Sequence, residues 1–290
     1  MEFEFLERTA LTERSRLIHC ITNPISINDC ANLILAMGAQ PMMAEHPAET
    51  ERITGMADAL ALNLGNITDV RIESMRISSA CAHARGIPSV LDCVGVGASP
   101  LRLDYARSLI QDFGPSVIKG NLSEWKVLCG LEERTRGVDL TEADRLTRVT
   151  DCLDEFARYA REHRVVALVS GAEDLVTDGM RAVLVANGHP MMSRITGTGC
   201  MLGAMTATWL AVAAPFAAAV QACVTFGLAG EIAAGCSRGP GSFRAELLDA
   251  LYNLTDEALR QNAQIMEIGS IPNRSGAVAD RAGYGDANSL

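Results

Sequence analysis

The chain has 290 residues, a net charge of −10, 48% apolar residues and only 4% aromatic ones. That length builds one large α/β domain or two smaller ones, with a core of close-packed Ala, Leu, Val, Ile and Met. The acidic balance argues against a nucleic-acid surface or an anionic membrane as partner, yet local N–H groups and a single lysine can still hold an anionic cofactor.

Short apolar runs alternate with helical patterns through the first two-thirds of the chain. Residues 17–21 read as a strand ended by the turn signal Thr22-Asn23-Pro24. A helix over 28–37 closes at Gly38, a strand follows over 40–44, and Pro47 opens the next helix at its first position. Residues 59–64 are apolar except for Asn63, which suits a strand buried on both faces. A helix over 70–85 ends at Gly86. A strand over 89–91 leads to Asp92 and the loop Cys93-Val94-Gly95-Val96-Gly97-Ala98-Ser99. After a helix over 101–113, a strand over 116–118 runs into Lys119-Gly120-Asn121, and a helix begins near Ser123. Residues 132–140 read as a polar surface loop and 141–162 as a long charged helix. A strand over 165–169 ends at Ser170-Gly171. Strands over 175–177 and 182–185 flank Asp178-Gly179, a two-residue hairpin signal. Helices are expected near 200–214, 216–235 and 242–265, and the polar tail, 266–290, is expected to be disordered.

This alternation has no midpoint linker and no internal repeat. It predicts a single α/β domain over 1–265, with a mostly parallel central sheet flanked by helices and a hairpin at one edge. The nine cysteines are odd in number and show no Cys-x-x-Cys spacing, so the expectation is reduced thiols in a cytoplasmic protein. The acidic start lacks a signal-peptide pattern. The apolar run from Met201 is stopped by Pro215, and the next carries Gln221, Gly227, Gly230 and Glu231, so both read as core helices rather than membrane spans.

Chemistry is expected at the carboxyl ends of the strands. The stretch Thr196-Gly197-Thr198-Gly199-Cys200 precedes a small-and-apolar helix. The N–H groups of such a helix end carry about half a unit of positive charge and suit an anion. Asp92 and Glu124 can hold Mg²⁺, which takes only one or two protein carboxylates and keeps several waters. Lys119 can reach a phosphate, and Ser170 can donate to a nucleotide oxygen. Asn23 can bond a ligand or close an Asx-turn. Met43 can line an apolar pocket. Each residue also fits a structural role: a strand-end cap for Asp92, a first-turn charge for Glu124, core filling for Met43 and Cys200. The five histidines share no metal-ligand spacing, and there is no Walker lysine, nucleophile elbow or dinucleotide glycine fingerprint.

Five segments occur in one order: 19–25 (HCITNPI), 62–66 (LNLGN), 94–98 (VGVGA), 119–124 (KGNLSE) and 196–200 (TGTGC). Together they resemble the hydroxyethylthiazole kinase family of thiamine biosynthesis, over about residues 15 to 260. The resemblance implies a ribokinase-like fold, ATP as co-substrate with Mg²⁺, phosphorylation of the alcohol of 4-methyl-5-(2-hydroxyethyl)thiazole, and a homotrimer with the thiazole pocket between subunits. It implies that Asn23, Met43, Gly65 and the backbone at Gly197 bind thiazole, that Lys119 and Ser170 contact ATP, and that Asp92 and Glu124 lie on the metal side. Cys200 stands where most ribokinase-like kinases carry an Asp base. Other readings are a hydroxymethylpyrimidine-type kinase, an NAD(P)H-hydrate dehydratase, each expected to carry Asp at that position, or a non-catalytic binding module. Cys93 replaces the family's usual Pro, which suggests a looser loop after Asp92, and Ser170 replaces its usual Thr.

Overall fold

A computed structural model describes residues 3–132 and 148–268. In chain order it contains α1 (Thr9–Thr12), β1 (Leu17–Ile21), α2 (Ile27–Ala36), β2 (Gln40–Met42), α3 (Pro47–Thr54), β3 (Ala59–Asn63), α4 (Asp69–Arg85), β4 (Ser89–Asp92), α5 (Pro100–Phe113), β5 (Val117–Asn121) and α6 (Leu122–Leu128). It continues with α7 (Leu153–His163), β6 (Val166–Ser170), β7 (Asp174–Thr177), β8 (Ala182–Val185), α8 (Thr198–Leu210), α9 (Pro215–Cys236), α10 (Pro240–Asn253), α11 (Asp256–Asn262) and β9 (Ile265–Ile268).

The strands form one sheet in the order β2-β1-β3-β4-β5-β6-β7-β8-β9. Pairing is parallel from β2 to β6 and antiparallel from β6 to β9. Alternation along each strand sends successive side chains to opposite faces. Cys20, Ala61, Val90, Val117 and Leu168 therefore pack with α2, α8, α9 and α10 on one side. Ile21, Leu62, Leu91, Ile118 and Ala167 pack with α4, α5, α6 and α7 on the other. Burial on both faces explains why the parallel strands are nearly continuous apolar runs. The helix α9 is long and apolar enough to cross a membrane, but it is mostly buried within this core.

Local signals set the helix starts. Ser99 and Thr68 accept from the amides of Arg102 and Arg71, and Asn121 and Glu124 form a reciprocal capping box at α6.

Three expectations change. The loop between β7 and β8 has four residues rather than two, because Asp178 Oδ1 accepts from the amides of Met180 and Arg181 and closes an Asx-turn. The segment 242–265 is not one helix. Thr255 caps a second helix by accepting from Ala258 N, and the chain then enters β9, which displaces the β7–β8 hairpin from the sheet edge. The expected helix over 141–162 is described only from residue 148, as a 3-10 turn at Val149–Cys152 followed by α7. Residues 133–147, most of the expected 132–140 loop among them, lie outside the described residues, as does the tail beyond 268.

Candidate active site

The pairing register sets Asn63 opposite Asp92 and Asp92 opposite Lys119. Three neighbouring strands thus deliver three polar side chains in one row, on the face covered by α8. All three are buried. Lys119 Nζ lies 3.4 Å from each carboxylate oxygen of Asp92. Asp92 Oδ2 also accepts from Asn63 Nδ2 at 2.9 Å, and Asp92 Oδ1 from Val94 N at 3.1 Å. Glu124 accepts from Gly95 N and Asn121 N, each at 2.7 Å, which ties the loop after β4 to the start of α6.

Burial shapes the electrostatics of this group. It pushes the Glu124 carboxyl up to about 7, against the pull of Lys119 and with a further push from Asp92. Burial also raises Asp92, and Lys119 holds that rise in check. Burial works against the Lys119 ammonium, but Asp92 and Glu124 outweigh it and hold its proton firmly. Two buried carboxylates thus face one ammonium. This donor set fits a hydrated divalent cation such as Mg²⁺ held largely by phosphate and water, with Asp92 and Glu124 as its protein anchors.

The glycine loop meets this row from above. Gly197 has φ +91°, a left-handed turn that starts α8, and a Cβ there would come within 3.1 Å of Ser26 Cβ. A Cβ on Gly199 would lie 3.1 Å from Lys119 Nζ. The ammonium and the positive end of α8 therefore converge on one point, an arrangement that calls for an anion between them. One residue on, half-buried Cys200 accepts at Sγ from Asn23 Nδ2 at 3.2 Å. A cavity of about 10 Å³, room for roughly one water, lies between Cys200, Asn63, Asp92, Gly203, Cys20 and Cys30.

The structure gathers Asn23, Gly65, Asp92, Lys119, Glu124, Gly197 and Cys200 around the carboxyl ends of β1, β3, β4 and β5. Asn23 makes the Asx-turn, accepting from Ile25 N and Ser26 N. Ser170 and Met43 lie on the flanks. Ser170 pairs with Asn121 across β5 and β6, and its Oγ donates to Gly120 O at 3.4 Å. Met43 follows the edge strand β2 and is half-buried against the core on the α2 side.

Several residues escaped sequence reasoning. Asn63 is the hub of the row, and its signal was a lone amide at the end of an apolar strand. Arg102 donates to the carbonyls of Leu64 and Gly65 and fixes that turn. Asp174 accepts from Gly171 N at 2.9 Å and so shapes the turn after Ser170. Burial pushes its carboxyl up to about 6. The loop after Asp92 is not loosened by Cys93. The Cys93 side chain is fully buried, and its amide donates to Lys119 O at 2.8 Å, a bond that proline cannot make.

The profile of the Hydroxyethylthiazole kinase family matches residues 9–257. The chain belongs to this family. It is 41% identical over 260 residues to "Hydroxyethylthiazole kinase 2" of Clostridium botulinum, covering 89% of this chain and 98% of that relative. A solved hydroxyethylthiazole kinase of Pyrococcus horikoshii superposes with a TM-score of 0.81 at 35% identity, over 90% of this chain and 97% of that one. A ribokinase-like superfamily protein of Enterococcus faecalis, 14% identical, matches with a TM-score of 0.57 over 85% of this chain and 88% of that one, a likeness of fold alone.

Proposed function

We propose that the chain transfers the γ-phosphoryl group of ATP to the hydroxyl of 4-methyl-5-(2-hydroxyethyl)thiazole, in thiamine biosynthesis and salvage. The observation that carries this reading is the convergence of the Lys119 ammonium and the N-terminus of α8 at Gly199, one residue before Cys200, in a chain of this family. Phosphoryl transfer runs through a loose transition state, so its catalysis is mostly positioning and charge neutralisation. Lys119 and the α8 amides hold the phosphoryl group in transfer. Ser170 and the turn that Asp174 shapes hold the nucleotide on the β6 side. Met43, Gly65, Gly197 and Asn23 border the thiazole, and Cys200 faces its hydroxyl. Asp92 and Glu124 would anchor Mg²⁺, which neutralises phosphate charge when bound.

A homotrimer with the thiazole pocket between subunits is supported by the exposed apolar Ile25, Leu35 and Met42, all on the β1–α2–β2 edge. Dilution below the assembly constant lowers thiazole affinity, and a fully active monomer in a sedimentation-coupled assay refutes the shared pocket. Cytoplasmic residence is supported by nine reduced thiols.

The test is to incubate the protein with ATP, Mg²⁺ and each candidate alcohol or nucleotide hydrate, and to identify the product. The expected product is the thiazole phosphate monoester. A pyrimidine phosphate or a dehydrated dinucleotide overturns the reading.

A further inference from the structure

Asn23 stands beside Cys200 with its hydrogen-bonding capacity fully used. Its Oδ1 accepts from Ile25 N at 3.1 Å and from Ser26 N at 3.2 Å. Backbone amides only donate, so these two bonds fix which end of the side chain is oxygen. The two hydrogens on Nδ2 then go to Asn63 Oδ1 at 3.0 Å and to Cys200 Sγ at 3.2 Å. Asn63 is fixed in the same way: its Oδ1 also accepts from Gly65 N at 2.9 Å, so its Nδ2 is the end that donates to Asp92 Oδ2. Polarity therefore runs one way along the row, from backbone amides into two asparagines, and from these to a sulfur and a carboxylate.

We infer that Asn23 and Asn63 are positioning residues, Asn23 delivering an N–H to the Cys200 sulfur and Asn63 one to Asp92, and that Asn23 does not hydrogen-bond the acceptor alcohol. An alcohol could bond Asn23 only by breaking one of four bonds already made, two of them to buried groups. A sulfur that receives an N–H commits a lone pair to it. Any proton Cys200 carries or accepts is directed away from Asn23, toward the open side where a substrate hydroxyl arrives. This sets Cys200 up as an acceptor and leaves hydrogen bonding of the substrate alcohol to other residues. The activity arm of the test rests on the kinase reading, but the labelling arm does not.

The first variant is Asn23→Asp, which keeps an oxygen for the Ile25 and Ser26 amides and removes the N–H from Cys200. The second is Asn23→Ser, whose hydroxyl still closes the turn but is too short to reach the sulfur. Iodoacetamide labelling at one fixed pH is mapped by peptide mass spectrometry, with exposed Cys236 as internal reference and buried Cys20 and Cys223 as reporters of an intact core. Labelling of Cys200 relative to Cys236 is expected to slow about tenfold in Asn23→Asp, the worth of one hydrogen bond to an ionised group, and to slow less in Asn23→Ser. In the kinase assay kcat falls about tenfold in Asn23→Asp while KM for the thiazole stays within about twofold, as expected when only the transition state loses an interaction. A rise in thiazole KM at constant kcat, or an unchanged Cys200 to Cys236 labelling ratio in both folded variants, overturns the assignment. If wild-type protein phosphorylates no alcohol, the kinase reading falls, and the labelling ratio still decides the role of Asn23.

Discussion

Lys119 Nζ sits 3.4 Å from both carboxylate oxygens of Asp92, beneath the first turn of α8, with each partner almost wholly buried. The pair is held from two strands by register, and it points its positive end at the place where the helix is already positive. Such a juxtaposition of an ammonium and a helix N-terminus suits an anion.

Replacing the lysine separates its two duties. Lys119→Met is expected to raise KM for ATP at least about tenfold while KM for the thiazole stays within about twofold, because on the proposed reading the lost charge serves the phosphates and not the thiazole. It also strands Asp92 without its counter-charge, so denaturant unfolding is expected to show a loss of about 3 kcal/mol. Equal effects on the two KM values remove Lys119 from the nucleotide site.

Glu124 gives the free protein a pH signature. Its carboxyl titrates near 7 when folded, against an ordinary 4.5. Between those values Glu124 binds more protons in the folded state than in the unfolded one, so the stability it contributes is fully present below about 4.5 and is lost as pH rises through 7. The drop is about 3 kcal/mol by linkage. Urea titrations without metal or nucleotide should show it in wild type, and the Glu124→Gln slope should be flatter. In the assay, kcat/KM for ATP falls as pH drops below 7, where the proton competes with a cation. Parallel stability slopes in the two proteins place the titration on another group.

Most of the scaffold was legible because the central strands are buried on both faces and several helices open on a side-chain cap or a proline. The starts expected at Pro47, Leu101 and Ser123 fall within a residue of those observed, at Pro47, Pro100 and Leu122. What stayed hidden depended on distance across the sheet. Asn63 looks like a blemish in an apolar strand until the register lays it beside Asp92. Cys93 suggested slack because the sequence cannot show that its amide faces the carbonyl of Lys119. The β9 edge strand takes residues 266–268 out of the tail expected to be disordered, and it was missed because a half-exposed four-residue strand carries little periodicity of its own.

At Cys200 the question is how much the sulfur does as a base. General-base catalysis commonly contributes about 10²–10⁴-fold. Cys200→Ala is expected to lower kcat toward the small end of that range with little change in either KM. Cys200→Asp, which supplies the carboxylate that the family resemblance leads one to expect in other ribokinase-like kinases, should retain or exceed wild-type turnover. If Asp abolishes activity while Ala is silent, the residue has no base-like role.

Two glycines separate stability from function. A Cβ on Gly227 in α9 would come within 2.4 Å of the carbonyl oxygen of Asn187, and backbone cannot swing aside. Gly227→Ala should cost about 2 kcal/mol in unfolding experiments through overpacking, with normal KM values in the protein that remains folded. A Cβ on Gly199 meets only the Lys119 ammonium, the far end of an unbranched side chain, at 3.1 Å. Gly199→Ala should leave the melting temperature unchanged or slightly raised, as a helix gains from alanine, yet raise KM for ATP. The opposite pattern, a stable Gly227→Ala or a Gly199→Ala with ordinary ATP kinetics, contradicts the geometry.

Cys93 offers a test against the family's usual residue. The family resemblance implies proline after the strand-end aspartate, whereas here the Cys93 amide donates to Lys119 O at 2.8 Å and prolongs the β4–β5 pairing by one bond. Cys93→Pro removes that donor and leaves a buried carbonyl short of a partner, a loss of about 1–3 kcal/mol. It also restrains the residue before it, Asp92, to extended backbone, which is the conformation a strand end already has. Stability should therefore fall while Asp92 keeps its orientation and KM for ATP stays close to wild type. Amide hydrogen exchange at Gly95, whose N–H is held by Glu124, reports the loop directly: protection there should survive the substitution. Loss of that protection together with a raised ATP KM means that the Cys93 bond, and not the Glu124 carboxylate, is what keeps the loop in place.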